Sequence, residues 1–124
     1  MALNEVGVLY YLYMGENHSY RGEEWGRTER ENEPKPLFNL GQIVGTPGAL
    51  IAMEEAKLPP VELLLRHVTG DWGDLDDEDK KENELSVREG FRILSAYKLE
   101  TGVKVWVITE WDRSVTTILL PEDY

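Results

Sequence analysis

The stretch "FRILSAYKLETGVKVWVITEWDRSVTTILLP", residues 91–121, decides the fold class. Apolar and polar side chains alternate along it in three runs, residues 91–99, 103–111 and 115–120, which predicts three strands. The connections "ETG" and "DRS" are short enough for hairpins, so the three strands should form an antiparallel meander. In the middle run both faces carry apolar side chains, which predicts a central strand.

Two helices are predicted ahead of the meander. Thr46 and Pro47 are the residue types of an N-cap and a first helical position, so a helix should run from Pro47 to about residue 57. A second helix opens at the two prolines of "PPVELLLRHV" and ends before Gly70. Its expected buried stripe consists of Val61, Leu64, Leu65 and Val68.

A third helix is predicted over residues 77–89, between Asp76 as its N-cap and Gly90 as its terminator. The acidic residues of "DDED" suit the positive end of the helix dipole. The expected fold is therefore α+β, with two to three helices packed on a three- to four-stranded antiparallel sheet that ends in a C-terminal β-meander.

The N-terminal part of the chain has a different character. Residues 6–14, "VGVLYYLYM", have no basic flank and are too short for a membrane span, which disfavours a signal peptide and a membrane anchor. The run therefore predicts a strand. Residues 15–36 are rich in Gly, Pro and charge and predict a polar arm, in which Trp25 could contact a partner or its own domain. We therefore separate an N-terminal strand and arm, residues 1–36, from a single α+β domain, residues 37–124.

Composition excludes several classes of function. The 124 residues include no cysteine, which excludes disulfides, thiolate metal sites and cysteine nucleophiles and makes the cytoplasm the expected location. The net charge of −11 disfavours direct binding to nucleic acid or to anionic membranes. Residues 71–90 hold nine acidic and three basic residues, more than half of this net charge. The motifs of phosphate loops, serine hydrolases and zinc proteases are missing, so no cofactor and no metal are predicted.

The acidic segment begins with a possible acid/base pair. In "RHVTGDWGDLDDEDKKENE", residues 66–84, the spacing of a calcium loop is absent, and weak divalent-cation binding remains open. Asp71 could orient the imidazole of His67 for general base catalysis. Alternatively, His67 caps the carbonyls at the end of its helix, while Asp71 and Trp72 close the turn.

The hairpin "TEWDRSVTT", residues 109–117, gathers a second set of polar side chains. Glu110, Asp112, Arg113 and the hydroxyls of Ser114, Thr116 and Thr117 could bind an anion or polarise a phosphodiester. The alternative is structural, because Asp and Ser favour turns, Arg113 can pair with a neighbouring acid, and threonine is an ordinary strand residue.

Three longer motifs carry a resemblance to known proteins. They are "LGQIVGTPGAL", "HVTGDWGDLDDEDKKENE" and "RILSAYKLETGVKVWVITEWDRSVTTILLPEDY", in this order within residues 37–124. The chain resembles a family of short bacterial proteins found largely on mobile elements and labelled plasmid-related or type I restriction subunit. The resemblance implies a mobile-element origin and brings no established activity. A methyltransferase subunit would need a Rossmann domain with a glycine-rich turn, which this sequence lacks.

A fainter resemblance is to the small microbial ribonucleases of the barnase kind. "GFRILSAYKL" and "VWVITEWDRSVTTI" are similar to their arginine-bearing strand and threonine-rich hairpin. The resemblance implies a phosphate-binding role for Arg92. The sequence departs from that family where Trp111 and Asp112 stand at the position of the catalytic histidine, so His67 would have to replace it.

Three functional hypotheses follow. The first is a protein-binding or modulator protein of a mobile element, whose carboxylates attract a host or element-encoded protein with a basic surface. The second is metal-independent RNA cleavage by His67, Arg92, Arg113 and Thr117, which requires these side chains to share one cleft. The third is a homodimeric structural protein. The candidate binding residues are Trp25, Asp71, Trp72, Asp74, Asp76, Asp77, Glu110 and Asp112.

Overall fold

A computed structural model describes residues 35–124 and confirms the α+β class. The predicted strand of residues 6–14 and Trp25 of the arm lie outside the described residues. The described part of the chain forms, in order, β1 (Gln42–Gly45), α1 (Pro47–Glu55), α2 (Pro60–Val68), α3 (Asp77–Glu89), β2 (Ile93–Lys98), β3 (Lys104–Thr109), β4 (Val115–Leu119) and a 3₁₀ turn (Pro121–Asp123).

The four described strands form one sheet in the order β1-β4-β3-β2. The predicted meander is confirmed, because β2 pairs antiparallel with β3, Ser95 opposite Val107, and β3 pairs antiparallel with β4, Val107 opposite Ile118. The expectation of a wholly antiparallel sheet is wrong, because β1 pairs parallel with β4 and makes the sheet mixed. The sequence does not predict β1, since a strand of four residues shows too little alternation.

The helices begin at the residues that the sequence indicates, and α3 also ends where predicted, whereas α1 ends at Glu55, two residues before its predicted end. Thr46 Oγ1 accepts from the N–H of Ala49 at 3.2 Å and opens α1. Asp76 Oδ1 accepts from the N–H of Asp79 at 2.8 Å and opens α3. Gly90 ends α3 with a φ of 82°, a left-handed conformation that glycine adopts without steric cost. These local signals hold because each cap satisfies a backbone group that the helix end leaves without a partner.

α1 and α2 cover one face of the sheet, which we call the inner face, and bury the main core there. The stripe of α2 that faces this core differs from the expectation: Leu63 and His67 are buried, whereas Leu65 is 48% exposed. Helical periodicity allows both stripes, and packing decides between them. The core consists of Ile43, Ala49, Ala52, Met53, Leu63, Leu64, Tyr97, Leu99, Val105, Val107 and Ile118.

α3 lies along the free edge of β2 and borders the opposite face of the sheet, which we call the outer face. The Asn83 side chain pairs both backbone groups of Leu94, donating to its carbonyl at 2.7 Å and accepting from its N–H at 3.2 Å. The backbone of residues 72–74 pairs with Ala96 further along the edge. The chain thus closes the edge of β2 with its own residues, which prevents association through it.

Candidate functional site

His67 is fully buried between α2 and the inner face of the sheet, where both ring nitrogens meet hydroxyl groups. Nδ1 lies 2.6 Å from Ser95 Oγ, and Nε2 lies 2.9 Å from Thr109 Oγ1. Thr109 Oγ1 lies 2.7 Å from Thr116 Oγ1, which donates to the carbonyl oxygen of Leu40 at 2.6 Å. These groups form one continuous buried series of hydrogen bonds, which we call the His67 chain.

The direction of each bond in the His67 chain follows from its last member. Because a carbonyl only accepts, the hydroxyl hydrogen of Thr116 goes to Leu40, and the Thr116 oxygen accepts from Thr109. The Thr109 oxygen therefore accepts from Nε2–H of His67, and Nδ1, which carries no hydrogen, accepts from the hydroxyl of Ser95. The imidazole is neutral, with its proton on Nε2.

The surroundings of His67 keep the imidazole neutral. Burial, together with the smaller effect of the positive charge of Arg113, lowers the pKa of His67 from 6.5 to about 3. Phe38 and Trp72 meet the imidazole edge-on, with ring centroids 5.2 Å and 6.1 Å away. A general base must reach the proton that it removes, and a fully buried ring cannot reach a substrate. His67 is a hydrogen-bonded core residue, and the expectation that it caps the end of α2 is wrong.

The four residues of the catalytic hypothesis do not share a cleft. His67 lies on the inner face, whereas Arg92 lines a groove on the outer face. Thr117 points away from His67, because successive strand residues alternate and Thr116 faces His67 through the buried hydroxyls. The guanidinium of Arg113 is bound to backbone carbonyls at the edge of the hairpin. The arrangement gives no support to the shared cleft that RNA cleavage would need.

Arg113 joins the β3–β4 hairpin to the end of α3. Its Nη1 donates to the carbonyl oxygens of Phe91 at 2.7 Å and Glu110 at 3.2 Å, and its Nη2 donates to that of Ser86 at 2.8 Å. The backbone of Arg113 has a φ of 60°, in the left-handed region that residues other than glycine rarely adopt. The guanidinium therefore acts as a structural clamp, and partial burial lowers the pKa of Arg113.

The tip of this hairpin is a solvated turn. Asp112 Oδ1 accepts from the N–H of Ser114 at 3.0 Å, and hydrogen bonds from Ser114 lower the pKa of Asp112. Trp111 is 65% exposed, and the backbone N–H of Glu110 donates to Val115 at 3.1 Å. The turn contact between Asp112 and Ser114 matches the structural alternative. The expected pairing of Arg113 with Glu110 or Asp112 is wrong, because within residues 35–124 its guanidinium donates to backbone carbonyls and forms no ion pair.

Asp71 and Trp72 hold the loop between α2 and α3. The carboxylate of Asp71 accepts from Arg66 Nε at 2.7 Å, and this contact lowers the pKa of Asp71. The indole N–H of Trp72 donates to Glu84 at 2.9 Å, and the residue is only 3% exposed. Trp72 therefore offers no accessible ring to a partner.

Asp74, Asp76 and Asp77 have different surroundings although they lie close together in sequence. Asp74 Oδ2 accepts from the N–H of Lys98 at 3.0 Å and closes the last group of the β2 edge. Asp76 is the N-cap of α3. Asp77 is exposed in the first turn of the helix. Asp74 and Asp76, before α3, therefore hold the loop, whereas Asp77, in the first turn of α3, faces the solvent.

A groove of about 710 Å³ runs between α3 and the outer face of the sheet. The helix side carries the exposed carboxylates of Glu78, Asp79 and Glu82. The sheet side carries Leu94 and Trp106. Within residues 35–124 no ion pair neutralises these three carboxylates. The groove therefore combines uncompensated negative charge with an apolar surface.

Arg92 is a cation that lines the same groove. Its guanidinium stacks over the ring of Tyr124 at 5.3 Å and donates to the Tyr124 hydroxyl. That ring meets Trp106 edge-on, with centroids 5.8 Å apart. Arg92 is held by the aromatic side of the groove and leaves the carboxylates to the solvent.

The sequence indicates only part of this groove. The acidic run contains Glu78, Asp79 and Glu82, but Leu94 and Trp106 do not stand out as site residues. Alternation along β2 and β3 does place both of them on the outer face. The alternation does not indicate where α3 lies. In the structure, the position of α3 leaves this part of the outer face accessible.

No family model, curated protein or solved structure matches this chain. The resemblances to mobile-element proteins and to ribonucleases therefore stay predictions from the sequence. In the part of the chain that the structure describes, no helix is long and apolar enough to cross a membrane, and no three His, Asp or Glu side chains gather as metal ligands.

Proposed function

We propose that this protein is a protein-binding module that takes a cationic segment of a partner into the groove between α3 and the sheet. The single observation that carries the proposal is the set of uncompensated carboxylates facing an apolar sheet surface across one groove. The three carboxylates outnumber the single cation Arg92 in the groove, and an excess of negative charge in a concave site focuses the electrostatic field and attracts cationic ligands.

The spacing of the carboxylates favours an extended ligand. Glu78 and Glu82 are four residues apart on α3, which separates their Cα atoms by about 6 Å along the axis. Side chains two residues apart on an extended strand are separated by about 6.6 Å and point the same way. A segment with Lys or Arg at alternate positions would match this wall. The intervening apolar side chains would then meet Leu94 and Trp106.

The partner in this proposal is a host or element-encoded protein with a basic surface, and the chain acts as its modulator. Proteins that bind nucleic acid carry such basic segments, and the net charge of −11 gives long-range attraction to them. The same charge repels nucleic acid itself. A cytoplasmic location belongs to the proposal, since a chain without cysteine suits a reducing compartment.

A labelled peptide tests the proposal. The probe is a fluorescein-labelled heptapeptide that alternates Lys and Leu, and its control alternates Glu and Leu; binding is followed by fluorescence anisotropy. In the variant Glu78→Gln/Asp79→Asn/Glu82→Gln, three exposed charge contacts of about 0.5 kcal/mol each are lost. Affinity for the Lys-Leu peptide should therefore fall about tenfold.

A second triple variant controls for net charge. Glu54→Gln/Glu55→Gln/Glu62→Gln also removes three exposed carboxylates, two from α1 and one from α2. None of the three lines the groove. We expect this variant to bind the Lys-Leu peptide within about twofold of the unmodified chain. Equal losses in both variants, or no preference for the Lys-Leu over the Glu-Leu peptide, would contradict the groove as the site.

A further inference from the structure

β1 is the second edge strand of the sheet, and half of its backbone groups point away from β4. The N–H groups of Gln42 and Thr46 donate at 2.9 Å to carbonyls on the β4 side. Because backbone groups alternate sides along a strand, the N–H and C=O groups of Ile43 and Gly45 point outward. Both residues are buried, and within residues 35–124 none of these outward groups has a hydrogen-bond partner.

Buried backbone groups without partners are rare in folded proteins. The sequence "QIVG" of β1 also has none of the charges or prolines that protect an edge strand from pairing. The opposite edge, at β2, is closed by the chain's own residues, among them Asn83 and Asp74. Among residues 35–124, the outer edge of β1 is therefore the sheet edge that remains open to a further strand.

We propose that residues 6–14 of this chain, "VGVLYYLYM", pair with the outer edge of β1 as a fifth strand. This run has no charge and no proline and is rich in Val, Tyr and Leu, which favour strands. It is the one apolar run in residues 1–34, which otherwise consist mainly of polar residues and glycine. Residues 15–41 tether it to β1, so the tether raises its effective concentration above that of any separate chain.

Amide hydrogen exchange of the full chain, followed residue by residue by NMR, tests the pairing. Ile43 and Gly45 should exchange slowly, as Val44 does through its pairing with β4. The variant Leu9→Pro/Tyr11→Pro removes two donors from the segment and prevents a continuous strand. Exchange at the two outward amides should then quicken by about tenfold or more, while Val44 keeps its rate.

The matched control is Glu23→Pro/Glu29→Pro, which places the same residue type in the arm and should change none of these rates. Fast exchange of Ile43 and Gly45 in the unmodified chain, or slow exchange that survives the prolines in the segment, would overturn the proposal. Protection that rises with protein concentration, together with a dimer mass in light scattering, would overturn it in favour of a second copy.

A second measurement covers the case in which the proline variant unfolds, shown by fast exchange at Val44. In the unmodified chain, nuclear Overhauser contacts between backbone protons of residues 6–14 and those of Ile43 or Gly45 report the pairing directly. We expect such contacts in the monomer. Their absence there would overturn the proposal without any substitution.

Discussion

Acid should destabilise this protein through His67, by an amount that follows from its surroundings. The pKa of His67 is about 3 in the folded chain, against 6.5 for an ordinary histidine. Below pH 6.5 the unfolded chain binds a proton there that the folded chain does not, so the free energy of unfolding falls as the pH drops from 6.5 towards 3. At pH 4.5 this amounts to about 2.7 kcal/mol, at about 1.36 kcal/mol per pH unit.

The variant His67→Gln isolates this contribution, because glutamine does not titrate and can hydrogen bond to Thr109. Urea denaturation of both proteins at pH 7.0 and pH 4.5 gives four free energies of unfolding. We expect the unmodified chain to lose about 2.7 kcal/mol more than the variant between the two pH values. Other groups, such as Asp71 paired with Arg66, titrate in both proteins and cancel in the comparison.

Equal losses in the two proteins would refute this reasoning, because they would show that folded His67 gains its proton near pH 6.5. The ¹⁵N spectrum of the imidazole at pH 7 gives an independent check of the His67 chain. Its direction requires the proton on Nε2, donated to Thr109. A proton on Nδ1 would contradict the direction assigned to the hydrogen bonds of the His67 chain.

Three further substitutions test the polar contacts that hold the fold. Thr116→Val interrupts the His67 chain and should lower the free energy of unfolding in urea by about 2 kcal/mol, whereas Thr117→Val, on the outer face, should change it by less than about 0.5 kcal/mol. Asn83→Ala leaves both backbone groups of Leu94 unpaired, which should cost about 2 kcal/mol and produce concentration-dependent association in light scattering. Arg113→Ala should lower stability by about 2 kcal/mol in thermal unfolding, and Arg113→Lys should restore only part of it, because an ammonium cannot reach the same spread of carbonyls.

The sequence predicts those parts of the fold that depend on neighbouring residues. The caps at Thr46 and Asp76 and the three-stranded meander are local features, and the structure confirms them. β1 is missed because its partner is β4, which lies far along the chain, and its four residues carry no pattern of their own. The stripe of α2 is shifted by packing, since its sequence suits two overlapping stripes.

The same distinction explains the candidate site. His67 is one of two histidines in the sequence, but its partners Ser95 and Thr109 are 28 and 42 residues away along the chain and have ordinary strand side chains. Only the register of β2 and β3 brings the two hydroxyls to the imidazole. The sequence around a histidine on a helix therefore does not distinguish a buried core histidine from a catalytic base.

The acidic segment shows why net charge alone cannot locate a binding surface. Carboxylates that precede a helix find backbone N–H groups without partners, and Asp74 and Asp76 bind such groups. Glu78, in the first turn of α3, and Glu82, one turn later, accept no hydrogen bond from a backbone N–H within residues 35–124, and both side chains are exposed to the solvent. Neutralising Asp74 and Asp76 should therefore lower the free energy of unfolding, whereas neutralising Glu78 and Glu82 should lower the affinity for a cationic ligand. The position of each carboxylate relative to the start of α3 decides which of the two properties it controls.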